Sequence, residues 1–396
     1  MGAAAKLSST EPPAQRTMRL FLCGDVMLGR GIDQVLPNPC DPAIHESYVH
    51  SALDYVRLAE EANGAIPRPV APSYIWGAAL DELNRAQPDA RIINLETAIT
   101  RSRDFAPKGI NYRMSPENAD CLTAAIDCCV LANNHVLDWG RAGLLDTLTT
   151  LGRLQIKTAG AGRNRDEASA PAEMHIVGKG RLLVFSFAVV TSGTPRSWAA
   201  TPDAPGVNLL SDLSEATAVR IADQIARHRQ PRDVVVVSMH WGPNWGYDIS
   251  EAQRHFAHSL IECADVSVIH GHSSHHAKGI EIYRGRLILY GCGGFLNDYE
   301  GIQGYEDYRG DLALMYFADI DPTSRTLAAA EIVPLQIRKF SLVRPSGPDI
   351  DWVRQTLDRE SREFTTSVAL ISPGRLALSW PDRSTTSATS ANIERT

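Results

Sequence analysis

Residues 265–276 read DVSVIHGHSSHH. A short β-branched apolar run, 265–269, opens directly into His270, His272, His275 and His276. Four histidines stand in seven residues, where the chain's 12 in 396 would place 7 × 12/396, about 0.2. Short Val- and Ile-rich runs suit strands buried on both faces. In α/β sheets, ligand groups collect beyond the carboxyl ends of strands. The stretch therefore predicts a strand that delivers imidazoles to the rim of a sheet.

Similar runs recur on both sides of it. Strands are expected at 18–23 (MRLFLC), 90–94, 127–132, 182–189, 233–239 and 286–291. Segments with helical spacing lie between them at 74–86, 116–125, 141–152, 213–229 and 250–263. In the last, Phe256, Leu260 and Cys263 form an i, i+4, i+7 stripe, and Ser250 can cap the start. This alternation specifies an α/β layered fold. Runs 312–319 and 328–337 look like a closing hairpin or sheet edge. Segments 33–73 and 192–208 read as irregular and could cover a site.

The other strand ends carry chemistry too. Asp25 follows the first, Glu96 the second, and Asn133-Asn134-His135 with Asp138 the third; His240 follows the run 233–239. Singly, each has a plain alternative: a helix cap for Asp25, a surface carboxylate for Glu96, turn chemistry for the asparagines, a core histidine for His240. Five endings in one register would gather them along one rim. Imidazole suits transition metals, and carboxylate and amide oxygens suit harder ions. The set predicts one or two divalent ions, with Mn, Zn, Fe and Ca all compatible. No cysteine joins it, which argues against a closed structural zinc site.

Composition bounds the partners. With 39 Lys+Arg and 46 Asp+Glu the net charge is −7, and 44% of residues are hydrophobic. That excludes a disordered, collagen-like or coiled-coil chain. It also gives no basic footprint for nucleic acid. No run approaches the roughly 18 apolar residues of a membrane span. Seven cysteines without a CxxC pair predict reduced thiols and a cytoplasmic location. Residues 1–17 read as a flexible leader and 381–396 as a disordered tail. Between them a domain over 18–320 and a packed extension over 321–380 are expected.

The motifs GDVMLGR (24–30), NLE (94–96), ANNHVLDWG (132–140), HWG (240–242) and GHSSHHAKGIEIYRGRLILYGCGGF (271–295) together resemble the CapA family of poly-γ-glutamate capsule biosynthesis proteins. That family is similar to the calcineurin-like metallophosphoesterases. The resemblance implies a metallo-dependent phosphatase-like four-layer α/β/β/α sandwich. It implies metal ligands at Asp25, Glu96, Asn134, His240, His272 and His275, with His135 as general acid/base. Asp138 would orient His135, Arg30 would bind an anionic substrate group, and His276 offers a further base. His270 stands at the margin of the set. The sequence departs from the family pattern at Asn244, where Glu is usual, at GHSSH in place of GHHPH, and at Gly291-Cys292-Gly293-Gly294-Phe295 in place of SLGNF.

The resemblance and the clustered ligand types together imply a metal-dependent enzyme acting on a peptide, polyglutamate or phosphoester. Hydrolysis in the metallophosphoesterase manner, transfer and metal-assisted Cα epimerisation are all open. A partner protein could deliver a peptide substrate. The rival is a non-catalytic component of capsule synthesis that binds metal or polyanion.

Overall fold

The computed structural model describes residues 17–381. The expected leader and tail therefore lie, apart from Thr17 and Pro381, outside the described residues.

Two sheets form the centre. Among the described residues the larger has ten strands: eight in the order 367–372, 375–379, 327–338, 312–320, 18–26, 90–95, 128–130, 157–159, with 294–296 paired to 18–26 and 341–343 paired to 327–338. From Met18–Val26 to Lys157–Ala159 its strands run parallel, and Leu312–Ile320 pairs antiparallel with Met18–Val26 on the other side. The smaller has seven strands: six in the order 209–210, 180–189, 234–240, 268–272, 286–289, 280–283, with 172–176 paired to 180–189. Its central four are parallel.

Period-two alternation explains how the sheets stack. Leu20, Leu22, Ile92 and Val130 point inward from the larger sheet, and Val184, Val236, Val268 and Leu289 meet them from the smaller. The intervening residues face outward. Phe21, Ile93 and Cys129 pack on Leu83, Leu144 and Leu148 of helices Ala78–Ala86 and Gly140–Arg153. Phe185, Val237 and Ile269 pack on Ile221, Ile225, Phe256 and Leu260 of helices Glu215–His228 and Glu251–Ala264. Each fully buried side chain of this size contributes about 1.5–3 kcal/mol. The result is the expected α/β/β/α sandwich.

Local signals set the start of several helices. Ser250 caps Glu251–Ala264 in a reciprocal box with Gln253. Elsewhere the chain differs from its expected elements. The segment 74–86 is interrupted at Gly77, whose φ of 42° splits a short 3-10 turn from helix Ala78–Ala86. Within 33–73 lies a helix, Ala52–Asn63, capped by Ser51. Its buried Ala52, Tyr55, Val56 and Ala59 keep helical spacing, so the signal was present in the sequence. Residues 321–380 are tied closely to what precedes them: Leu327–Arg338 pairs along the length of Leu312–Ile320 and lies inside the larger sheet.

Candidate metal centre

The expectation that all the strand ends line one sheet's rim is corrected by the structure. Asp25 is the penultimate residue of a strand of the larger sheet and Glu96 and Asn134 follow two others, whereas His240 and His272 end strands of the smaller. Neighbouring strands stand about 4.8 Å apart, so five ends in one sheet would spread too far to share an ion. Two stacked sheets bring them face to face.

Three local features aim the side chains. First, two residues, Cys23 and Gly24, oppose the single Ile93 between the partners Leu22↔Ile92 and Asp25↔Asn94. This bulge turns Asp25 onto the inward face that alternation would have denied it. Second, the strand carrying the histidine cluster is Val268–His272, not 265–269. His270 and His272 are thus strand residues on the same inward face as Val268. Third, His240 and His272 are register partners on adjacent strands.

The resulting geometry is compact. Nitrogens of His240 and His272 and a carboxylate oxygen of Asp25 lie within 4.8 Å of one another, all buried. The Nδ1 atoms of the two histidines are 2.7 Å apart. His275 Nδ1 lies 3.7 Å from Asp25 Oδ2. Glu96 Oε1 is 3.7 Å from His240 Nε2 and 3.8 Å from His135 Nε2. Asn134 Oδ1 is 3.0 Å from His240 Nε2. The six residues expected as ligands are therefore neighbours.

A chain of hydrogen bonds assigns the histidine tautomers. His270 Nε2–H donates to the Cys23 carbonyl at 2.7 Å, and Ser238 Oγ lies 3.1 Å from His270 Nδ1. The same hydroxyl is 2.8 Å from His272 Nε2 and accepts its proton. That leaves the His272 Nδ1 lone pair facing Asp25 and His240. His240 in turn donates from Nε2 to Asn134 Oδ1. Two imidazole lone pairs then confront each other across 2.7 Å beside Asp25 Oδ2 and His275 Nδ1, both buried without a hydrogen-bond partner. Buried polar atoms are rarely left so. A divalent cation resolves each of these conflicts, and the donor set fits one. His270 is linked to His272 through Ser238, and its own Nε2 is taken up by the Cys23 carbonyl.

The electrostatics agree. Burial drives His240 down to about 3, against the opposing charge of Asp25, and holds His272 well below its usual value. Neutral imidazoles are the ligand form. Burial pushes the Asp25 carboxyl up, but the surrounding histidines outweigh it and hold Asp25 below the ordinary range. Burial and then the charge of Asp25 raise Glu96 well above it. Two buried carboxylates this close ionise together only beside a cation.

His135 and Asp138 form a dyad at the edge of this cluster. His135 Nδ1 stands 2.6 Å from Asp138 Oδ2, which also accepts from the Tyr112 amide at 2.6 Å. Burial lowers His135 to about 4, Asp138 opposes the change and Lys108 adds to it. Lys108 was not expected here from the sequence. Its Nζ is 2.8 Å from Asp138 Oδ1, donates to the Asn134 carbonyl and lies 3.3 Å from His135 Nδ1. It sits in the long segment between Ile99 and Arg113, where no local pattern marks it. Asn94 was not expected either; its amide bridges Asp25 Oδ1 and Glu96 Oε2 at 2.8 and 3.1 Å.

Two further expected site residues stand apart from this cluster. Arg30 is buried, and each of its guanidinium nitrogens is engaged by the protein: Asp298 takes Nε and Nη2, and Glu46 and Tyr55 take Nη1. The guanidinium also lies over the rings of Tyr55 and Tyr112. With four of its five N–H donors engaged, it ties the loop after Val26 to Asp298 and Glu46. His276 points into an aromatic box of Trp245, Tyr247 and Tyr308. His275 also borders a cleft of about 590 Å³ that Trp245, Tyr299, Tyr305 and Tyr112 line.

The bacterial capsule synthesis protein PGA_cap family model matches residues 19–299. A probable polyglutamine synthesis accessory protein of Mycobacterium tuberculosis is 46% identical over 348 residues, 87% of this chain and 91% of that protein. The PGA biosynthesis protein CapA of Bacillus subtilis is 26% identical over 288 residues, 72% of this chain and 70% of that protein. A solved structure titled as a novel phosphatase of Mycoplasma pneumoniae covers 83% of this chain and 95% of its own at 10% identity, with a TM-score of 0.45, a likeness too slight to bear on function. Among the described residues, no helix is long and apolar enough to cross a membrane, and all seven cysteines are free thiols. By the span of the family match and the identity to its relatives, this chain belongs to the bacterial capsule synthesis protein PGA_cap family.

Proposed function

We propose that the chain is a metal-dependent hydrolase of peptide or γ-glutamyl amide bonds, acting within polyglutamate metabolism. The observation that supports this most is the placement of the His135–Asp138 dyad against the cluster of unsatisfied ligand atoms. Asp25, His240 and His272 would hold the ion, with Glu96, Asn134 and His275 beside it. When bound, such an ion activates water and polarises a carbonyl or phosphoryl oxygen.

The protein's own contribution is proton handling. Asp138 accepts from His135 Nδ1–H, which leaves the Nε2 lone pair facing the Glu96 side of the cluster. In its resting state His135 is neutral, so it takes up a proton first and returns it afterwards. Asp138 fixes the ring's tautomer and stabilises the charged form. The family names favour amide over phosphoester substrates, while the site's chemistry serves both, and Cα epimerisation as well. The mycobacterial relative's name, an accessory protein of polyglutamine synthesis, favours a second reading, in which the chain binds metal without turnover.

Elemental analysis of the purified protein, joined to a turnover screen on γ-glutamyl peptides, L/D peptide pairs and phosphoesters, separates these readings. The expected result is one or two bound ions, amide cleavage in the wild type, and at least a hundredfold loss in His135→Ala with the ions retained. No metal after reconstitution would falsify the site assignment. Metal with phosphoester cleavage alone would reassign the substrate, and metal without turnover would establish the accessory reading.

A further inference from the structure

A second cluster of charge lies at the opposite end of the smaller sheet, where its strands begin. Asp265 ends helix Glu251–Ala264, Arg286 opens strand Arg286–Leu289, Arg229 follows helix Glu215–His228, and Arg325 sits in the turn before Leu327–Arg338. All three arginines converge on the one carboxylate. Asp265 Oδ2 accepts from Arg229 Nη2 at 2.5 Å and forms an ion pair with Arg325 Nη2 at 2.6 Å, and Oδ1 accepts from Arg286 Nη2 at 2.5 Å. We propose that Arg229, Arg286 and Arg325 form a binding site for a phosphate-class dianion, remote from the metal centre.

A simple structural clip does not account for the arrangement. One guanidinium neutralises Asp265, and a second donor of Arg229 satisfies the Ala264 carbonyl at the helix end. Arg286 and Arg325 are surplus to both tasks. Arg286 is 9% exposed, and its Nη1 has no acceptor; Arg325 Nε is likewise buried and unpartnered. Buried guanidinium donors without acceptors call for an acceptor from outside. Nearby charges do not supply it. Glu262 is held by Arg284 at 2.8 Å, Asp321 is taken up by the amides of Thr323 and Ser324, and Arg232 adds further positive charge. Two helix C-termini carry only partial negative charge. In a chain of net charge −7, this end is therefore locally cationic by about two units. Planar guanidinium forks match phosphate oxygens, and phosphate carries about −1.5 to −2 charges near neutral pH.

The test titrates inorganic phosphate into the full chain, with chloride matching ionic strength, and follows thermal unfolding. Asp25→Asn controls for phosphate at the metal centre. The expected result is a saturable rise in Tm that persists in Asp25→Asn, weakens at least tenfold in Arg325→Gln and in Arg229→Gln, and is partly retained in Arg325→Lys. A parallel titration with glycerol 3-phosphate distinguishes free phosphate from a phosphomonoester by which saturates at the lower concentration. The proposal is overturned if phosphate does no more than chloride, if the arginine variants respond like wild type, or if the response disappears in Asp25→Asn.

Discussion

Lys108 shows how one side chain can set the behaviour of another. Its ammonium binds both the carboxylate paired with His135 and the backbone carbonyl of Asn134. It opposes the charge that Asp138 would otherwise lend the imidazole. Replacing it with Met removes a positive charge beside His135, so the midpoint of the His135 titration rises from about 4. An NMR titration of the imidazole reads this without a substrate, and Lys108→Arg should restore the wild-type midpoint in part. An unchanged midpoint in Lys108→Met would show that the lysine acts only as a tether. Any turnover that uses His135 as a base shifts its acid limb to higher pH in the same variant. The sequence made His135 and Asp138 visible because they share the motif ANNHVLDWG. Lys108 is some 25 residues away in an irregular segment, and only the closure of that segment over the dyad brings it there.

At the scale of elements, the bulge at Cys23-Gly24 decides the site. A Cβ at Gly24 would stand 1.7 Å from the Gly293 carbonyl oxygen, a backbone atom that cannot swing aside. The Asp25 amide donates to that same carbonyl at 3.0 Å. Gly24→Ala must therefore separate strands Met18–Val26 and Gly294–Leu296. Overpacking of this kind costs about 1–3 kcal/mol and more where backbone must move. The expected outcome is a lower denaturant midpoint together with loss of metal binding. Retention of full metal stoichiometry would show that Asp25 tolerates the shift. The run MRLFLC was legible as a strand, because its apolar content is local. Its bulge was not, because the count of two residues against one exists only between paired strands.

The whole molecule buries several histidines in neutral form between its sheets. His135, His270 and His276 are pushed down to about 4 and His240 to about 3, chiefly by burial. Their folded values lie below the unfolded value near 6.5, so the unfolded chain binds more protons as pH falls below that point. Their stabilising effect is complete above about pH 6.5 and declines toward pH 4, each histidine contributing up to roughly 1.4 kcal/mol per pH unit. The metal-free protein should therefore unfold in acid near pH 5, ahead of ordinary carboxylate titration, which circular dichroism against pH can follow. Stability level from pH 6.5 to 4 would contradict the buried neutral state. The sequence by itself determined the layered α/β class, most of the strands and helices, and the motif residues Asp25, Glu96, Asn134, His135, His240, His272 and His275, because alternation, capping and strand-end chemistry are properties of adjacent residues. Only the tertiary structure decided that two sheets share the site, that Arg30 is spent on Asp298 and Glu46, that His276 lies in an aromatic box, and that Lys108 and the arginines around Asp265 have partners at all. Those outcomes depend on distances between segments far apart in the chain, which packing sets and no local pattern records.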